Sequence, residues 1–149
     1  IIGAERFDAA FRTYVHRWAF KSPRPADFYR TMEDASGMDL QWFFRGFMEE
    51  SRQLDQAIAV VYQKQVDEQW NVTVTLDNLS DWVCPVDLQI TCSDGSVHAF
   101  KLPVTIWAWS NQHTQTFTLP APAVSAQIDP EVAYPDTDRS NNDYLQVRQ

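Results

Sequence analysis

Three histidines, two cysteines and a run of alternating acids are the side chains whose types and spacing bear most on chemistry. His16, His98 and His113 belong to no HExxH pair, and none has a second His or Cys at the spacing a zinc site needs. His16 reads as a solvated or capping group beside Thr13 and Arg17, and a surface role is expected for His98 and His113. Cys84 and Cys92 flank a strand-like stretch. Extended chain between them covers about 26 Å, beyond disulfide reach, so both are expected as small buried apolar groups. Asp136, Asp138, Ser140 and Asn142 alternate as at the start of a calcium loop. Asn141 stands where such a loop needs glycine and Val147 where it needs a closing glutamate, so a solvated turn is expected. Trp107 and Trp109, two apart, would share one strand face and could stack on a sugar ring, or else serve as core or cover a domain junction. Asn71-Val72-Thr73 and Asn78-Leu79-Ser80 fit the glycosylation pattern. The chain's 4 glycines form no phosphate-binding loop.

The elements that would position these groups change character part-way along the chain. Residues 1–53 hold 8 basic and 8 acidic groups, whereas residues 54–149 hold 4 basic and 12 acidic ones. Eleven of the 20 aromatic rings also lie in residues 1–53. A boundary is therefore expected near Ser51–Leu54, giving a helical segment over 1–53 and a β domain over 54–149. The whole chain has 149 residues, 44% of them hydrophobic, and a net charge of −8. That composition is globular and argues against a binder of nucleic-acid phosphates, which concentrates Lys and Arg. No apolar run approaches the roughly 20 residues that span a bilayer, and no signal peptide is visible. The chain begins Ile1-Ile2-Gly3, so a processed protein or a piece of a longer one is expected.

In the first segment Phe7, Phe11, Tyr14 and Trp18 recur at helical spacing over residues 4–20. Ser22-Pro23-Arg24-Pro25 stops that helix. A second is predicted from Asp27 to about Ala35, closed by Gly37. A third is predicted to start at an Asp39 cap and run to about Ser51, with Leu40, Phe43 and Phe47 in one stripe. Three short helices cannot hide eleven rings with ease. The rings either pack among themselves and against the following domain, or one face covers something outside the chain.

From Ala57 onward the period becomes two. Ile58/Val60/Tyr62, Trp70/Val72/Val74/Leu76 and Val86/Leu88/Ile90 each alternate with polar or smaller residues. Asp94-Gly95 marks a hairpin before Val97–Leu102. Ile106–Trp109, Thr114–Leu119 and Val124–Ile128 complete about seven strands. The expected fold class is α+β: a short three-helix segment followed by an antiparallel, immunoglobulin-like β-sandwich. After Asp129-Pro130 an irregular tail is expected, frayed after about Asn142.

The string from Phe7 to Tyr14, then Trp18-Ala19-Phe20-Lys21-Ser22-Pro23-Arg24-Pro25-Ala26-Asp27-Phe28, continues as Met32-Glu33-Asp34-Ala35-Ser36-Gly37-Met38-Asp39-Leu40-Gln41-Trp42-Phe43-Phe44-Arg45-Gly46-Phe47. It resembles the closing helices of the catalytic domain in aminopeptidase-N-type zinc metallopeptidases, the thermolysin-like gluzincins. The segment with Asp55, Asp94-Gly95, Leu102-Pro103 and Ile128-Asp129-Pro130 is similar, more loosely, to the β-sandwich that follows that domain. The resemblance implies a parent that binds zinc through a helical HExxH and a downstream Glu, and that trims N-terminal residues. Those residues would lie upstream of Ile1, and no position here matches them.

Three readings follow. The first is a structural and interaction portion of such a peptidase, with no catalytic residue, no metal ligand and no cofactor of its own. The second is a self-standing sandwich that binds protein or carbohydrate through its acidic surface or the Trp107/Trp109 face. The third is a small enzyme, for which no nucleophile–base or metal constellation is present. On the first reading the partner is the upstream catalytic domain. The candidate interface is Phe7, Phe11, Tyr14 and Trp18 on the first helix with Trp42, Phe43 and Phe47 on the third. Uncovered, those rings are expected to pair two copies of the chain through the helices.

Overall fold

The computed structural model describes residues 1–145, which divide into two compact units at Ser51/Arg52. The first unit is helical. Helix α1 spans Ala4–Trp18 and α2 spans Pro25–Ser36. Pro25 opens α2, where its missing N–H leaves no bond unmade. The Asp27 carboxylate turns back to accept the Arg24 backbone N–H at 2.8 Å. Gly37, at φ 67°, closes the helix in the left-handed conformation.

The third helix departs from the expected regular one. A single α-turn, α3 (Gln41–Phe43), passes into a π-helix over Phe44–Glu49. Asp39 does accept the Gln41 N–H, at 3.0 Å, but the helix starts one residue later than its cap position predicts, with Leu40 at the cap. Ala10, Met32, Leu40 and Phe44 are the fully buried centre of this unit.

The second unit contains two antiparallel sheets. One has the order β1-β2-β5: Gln56–Val66, Gln69–Asn78 and Gln112–Leu119. The other has the order β4-β3-β6-β7: Val97–Leu102, Val86–Cys92, Ala123–Ile128 and Asp143–Leu145. Val72, Val74 and Leu76 of β2 and Leu88 and Ile90 of β3 join Phe117, Ala126 and Ile128 in one buried cluster. The inward residues of both sheets thus share a core, as period-two patterning requires.

Four sequence expectations need correction here. Ile106–Trp109 is not a strand: Val104–Trp107 forms a 3₁₀ turn after Pro103. The seventh strand is instead β7, paired with β6 through Ser125–Leu145 and Gln127–Asp143. The tail is therefore not frayed at residues 143–145, and Asn142 is buried; Val147 and the chain beyond 145 lie outside the described residues. Finally, a bulge between Ile58 and Val60 shifts the β1 register. It turns Val61 toward the core and Val60 and Tyr62 to solvent, so the simple alternation from Ile58 fails.

Cys84 and Cys92 are both buried and form no disulfide. Burial, reinforced by Asp136, pushes the Cys84 thiol well above its ordinary value, which makes it inert at neutral pH. Asn78 is buried too, and its amide donates to the Ser80 carbonyl at 3.1 Å, so this second glycosylation match is not an accessible acceptor.

Candidate functional site

The aromatic residues of the helical unit form a continuous chain of ring contacts. Phe7 stacks on Phe11 at 5.8 Å, Phe11 meets Tyr14 at 6.2 Å, and Tyr14 points its edge at Phe28 at 5.0 Å. Phe28 touches Phe44 at 6.0 Å, Phe44 touches Phe43 at 5.5 Å, and Phe43 stacks on Phe47 at 5.4 Å. Trp42 meets Phe43 edge-on at 5.9 Å, and its Nε1 donates to the Asp39 carbonyl. Such offset and edge-to-face pairs add to the gain from burial alone.

The seven candidate interface residues divide by exposure. Phe7, Phe11 and Phe47 are 45%, 43% and 52% exposed. Tyr14, Trp18, Trp42 and Phe43 are half-buried. The four-ring stripe expected on α1 is therefore split. Tyr14 faces α2, and the exposed stripe is Phe7, Phe11 and Val15, at intervals of four. The Trp18 Nε1 is buried and makes no hydrogen bond among the described residues, while the Lys21 ammonium lies 5.8 Å from its ring.

Sequence reasoning passed over Val15 and Met48, which are also exposed; the helical spacing from Phe7 would have found Val15. The π-turn that sets Phe47 and Met48 has no sequence signal. Phe28, Tyr29 and Phe44 tie the stripe to the interior, with Tyr29 stacked on Phe44 at 4.3 Å.

Two concavities flank this chain of rings. An apolar groove of about 500 Å³ is lined by Ile2, Phe7, Phe28, Met32, Phe43 and Met48, among others. A more polar cleft of about 490 Å³ is walled by Tyr29, Arg30, Glu33, Asp39, Arg45 and Glu49. In the cleft, Glu33 accepts the Leu40 N–H at 3.1 Å. Arg45 pairs with Glu50 at 2.8 Å, which pushes the guanidinium further up.

Apart from His16 on α1, the remaining sequence candidates sit in the two-sheet unit. Trp107 is buried, its Nε1 donating to the Cys84 carbonyl at 2.8 Å, whereas Trp109 is 98% exposed. The two rings share no face, so the sugar-stacking pair that their spacing allowed does not exist, and Trp107 alone takes the core role that was the other reading. Asp136 accepts the Gln56 and Asp138 N–H groups and the Asn142 amide. The Ser140 hydroxyl and then its backbone N–H hold the Asp138 carboxyl below the ordinary carboxylate value. These acids close turns on their own chain. His16 is exposed, His98 Nε2 lies 3.1 Å from the Ser96 hydroxyl, and His113 is half-buried, with no hydrogen-bond partner for its Nε2 among the described residues.

Among the described residues no group of three or more His, Cys, Asp or Glu is placed to hold a metal ion. Among the described residues no helix is long and apolar enough to cross a membrane. No protein-family model and no curated protein sequence matches the chain.

Proposed function

We propose that this chain is the C-terminal portion of a zinc-dependent, aminopeptidase-N-type metallopeptidase. In this reading the helical unit completes the catalytic domain, and the two-sheet unit is an immunoglobulin-like sandwich that buttresses it. The observation that carries it is the exposed apolar stripe of Phe7, Phe11 and Val15 on α1, continued by Phe47 and Met48 on the π-helix. Each such side chain left in water forgoes roughly 1.5–3 kcal/mol of burial, a cost that a covering domain removes. Phe7, Phe11 and Phe47 of this stripe fall within the string of residues that resembles the closing helices of that family. The strand arrangement, three plus four with antiparallel neighbours throughout, suits a seven-stranded sandwich of that class. Zinc and the reaction belong to residues outside this chain, and no residue within it is assigned to either.

The purified chain is accordingly expected to carry no stoichiometric zinc by metal analysis and to release nothing from aminoacyl reporter substrates. One tight zinc per chain, lost on substitution of His16, His98 or His113, would overturn the proposal.

A further inference from the structure

The open edge of β5 differs from the other three sheet edges. Natural proteins protect edge strands with shortness, charge, proline, bulges or a covering element, because an exposed edge templates further pairing. β1 has a bulge and Lys64, its Gln56 N–H is taken by Asp136 at 3.0 Å, and its Gln63 amide is tied to Ala123 N–H and C=O at 2.8 and 3.1 Å. β4 carries Lys101 and runs into Pro103, and β7 has only three residues. β5 has no lysine, proline or bulge and, among the described residues, two side-chain ties to its backbone: the Ser110 hydroxyl accepts the Gln112 N–H at 3.0 Å, and the Gln115 amide donates to the Thr116 carbonyl at 3.3 Å, a contact that an incoming strand would replace. Gln112-His113-Thr114-Gln115-Thr116-Phe117-Thr118-Leu119 is eight residues long, pairs with β2 without a register shift, and contains no Lys, Arg, Asp, Glu, Pro or Gly.

The outer face of the same strand is regular. The Thr73 and Thr116 hydroxyls lie 2.9 Å apart, those of Thr75 and Thr114 3.1 Å, and Thr118 donates to Asn71 at 3.1 Å. Opposed residues of antiparallel strands share a face, so a two-fold axis normal to the sheet must bring even-numbered residues of β5 onto even-numbered ones. An axis at Thr116 places it against Thr116 of a second copy, and Thr114 against Thr118. The threonine rows then run on without interruption.

We infer that β5 is a docking edge for a second copy of this chain, joining two three-stranded sheets into one of six. Charge selects both place and partner. Residues 54–149 carry 12 acidic and 4 basic groups, and β5 is a stretch without any, where two such units meet with least repulsion. One strand pair buries less than the about 1,200 Å² of a standard interface, so the association is weak, rises with salt as repulsion is screened, and is best trapped covalently.

The test is oxidative cross-linking of the full chain with Thr116→Cys, using oxidised glutathione, in a background of Phe7→Ser and Phe47→Ser that removes helix-mediated pairing. Opposed Cα atoms in an antiparallel pair lie about 4.5–5.5 Å apart, within disulfide range, and Cys84 and Cys92 are buried. The expected result is a disulfide-linked dimer as the main product, increasing with salt, while Thr75→Cys on the central strand stays monomeric. Thr114→Cys alone should give little dimer, and Thr114→Cys with Thr118→Cys should restore it. Circular dichroism of each variant verifies the fold. Thr116→Cys yields no higher than those of Thr75→Cys, or a dimer that forms only when Phe7 and Phe47 are intact, would overturn the inference.

Discussion

Replacing Asp129 by alanine is expected to cost about 3–5 kcal/mol. The Asp129 side chain is 2% exposed and follows β6 at φ 49°, a left-handed conformation that Asp and Asn tolerate better than most residues. Its carboxylate accepts the Ala133 N–H at 2.7 Å, the Tyr134 N–H at 3.0 Å and Arg139 Nη2 at 2.9 Å. The same guanidinium also donates to the Tyr134 carbonyl. One side chain thus anchors the loop that leads to β7. Alanine strands the buried Tyr134 N–H, the N–H of exposed Ala133 and a half-buried cation at once. Asp129→Asn retains the backbone conformation and part of the acceptor set, so its loss is smaller. For a unit of this size each kcal/mol lowers the melting temperature by about 4 °C or more, so Asp129→Ala should melt more than about 10 °C below wild type by calorimetry. An unchanged melting temperature would refute this account of the loop.

Trp107→Ala is expected to cost about 3–5 kcal/mol in urea unfolding, and Trp109→Ala less than about 0.5 kcal/mol. Trp107 packs in the shared core and donates to the Cys84 carbonyl, which also takes the Gln56 amide at 3.0 Å. Alanine leaves a cavity and removes one of that carbonyl's two donors. Trp107→Phe keeps most of the volume and loses only the hydrogen bond, for about 1–2 kcal/mol. Equal losses from Trp107→Ala and Trp109→Ala would mean that the rings do act as a pair.

What periodicity specifies was legible. The β2 run from Trp70 to Asp77 alternates as written, because both the partner strands and the core face are fixed by a two-residue period. The start of α1, the Gly37 cap and the Asp94-Gly95 turn follow from local backbone chemistry, whereas α2 starts at Pro25, two residues before the expected Asp27. The misreadings share one physical origin, in that tertiary contacts decide them. Ile106–Trp109 has strand-like composition, yet the turn after Pro103 swings Trp107 into the core. β7 is three residues without an apolar pattern and exists through pairing with β6. The π-turn at Phe44 and the β1 bulge change which rings face outward, and neither has a residue signature. The aromatic face was therefore legible as a composition, while its division into exposed Phe7, Phe11 and Phe47 and half-buried Tyr14, Trp18, Trp42 and Phe43 was not.

The most direct measurement is to sequence the coding region upstream of Ile1. The proposed reading predicts an in-frame HExxH on a helical stretch, followed some tens of residues later by a glutamate, both ahead of the Phe7–Tyr14 helix. A start codon just before Ile1, or an upstream domain with no such zinc-binding pattern, would contradict it.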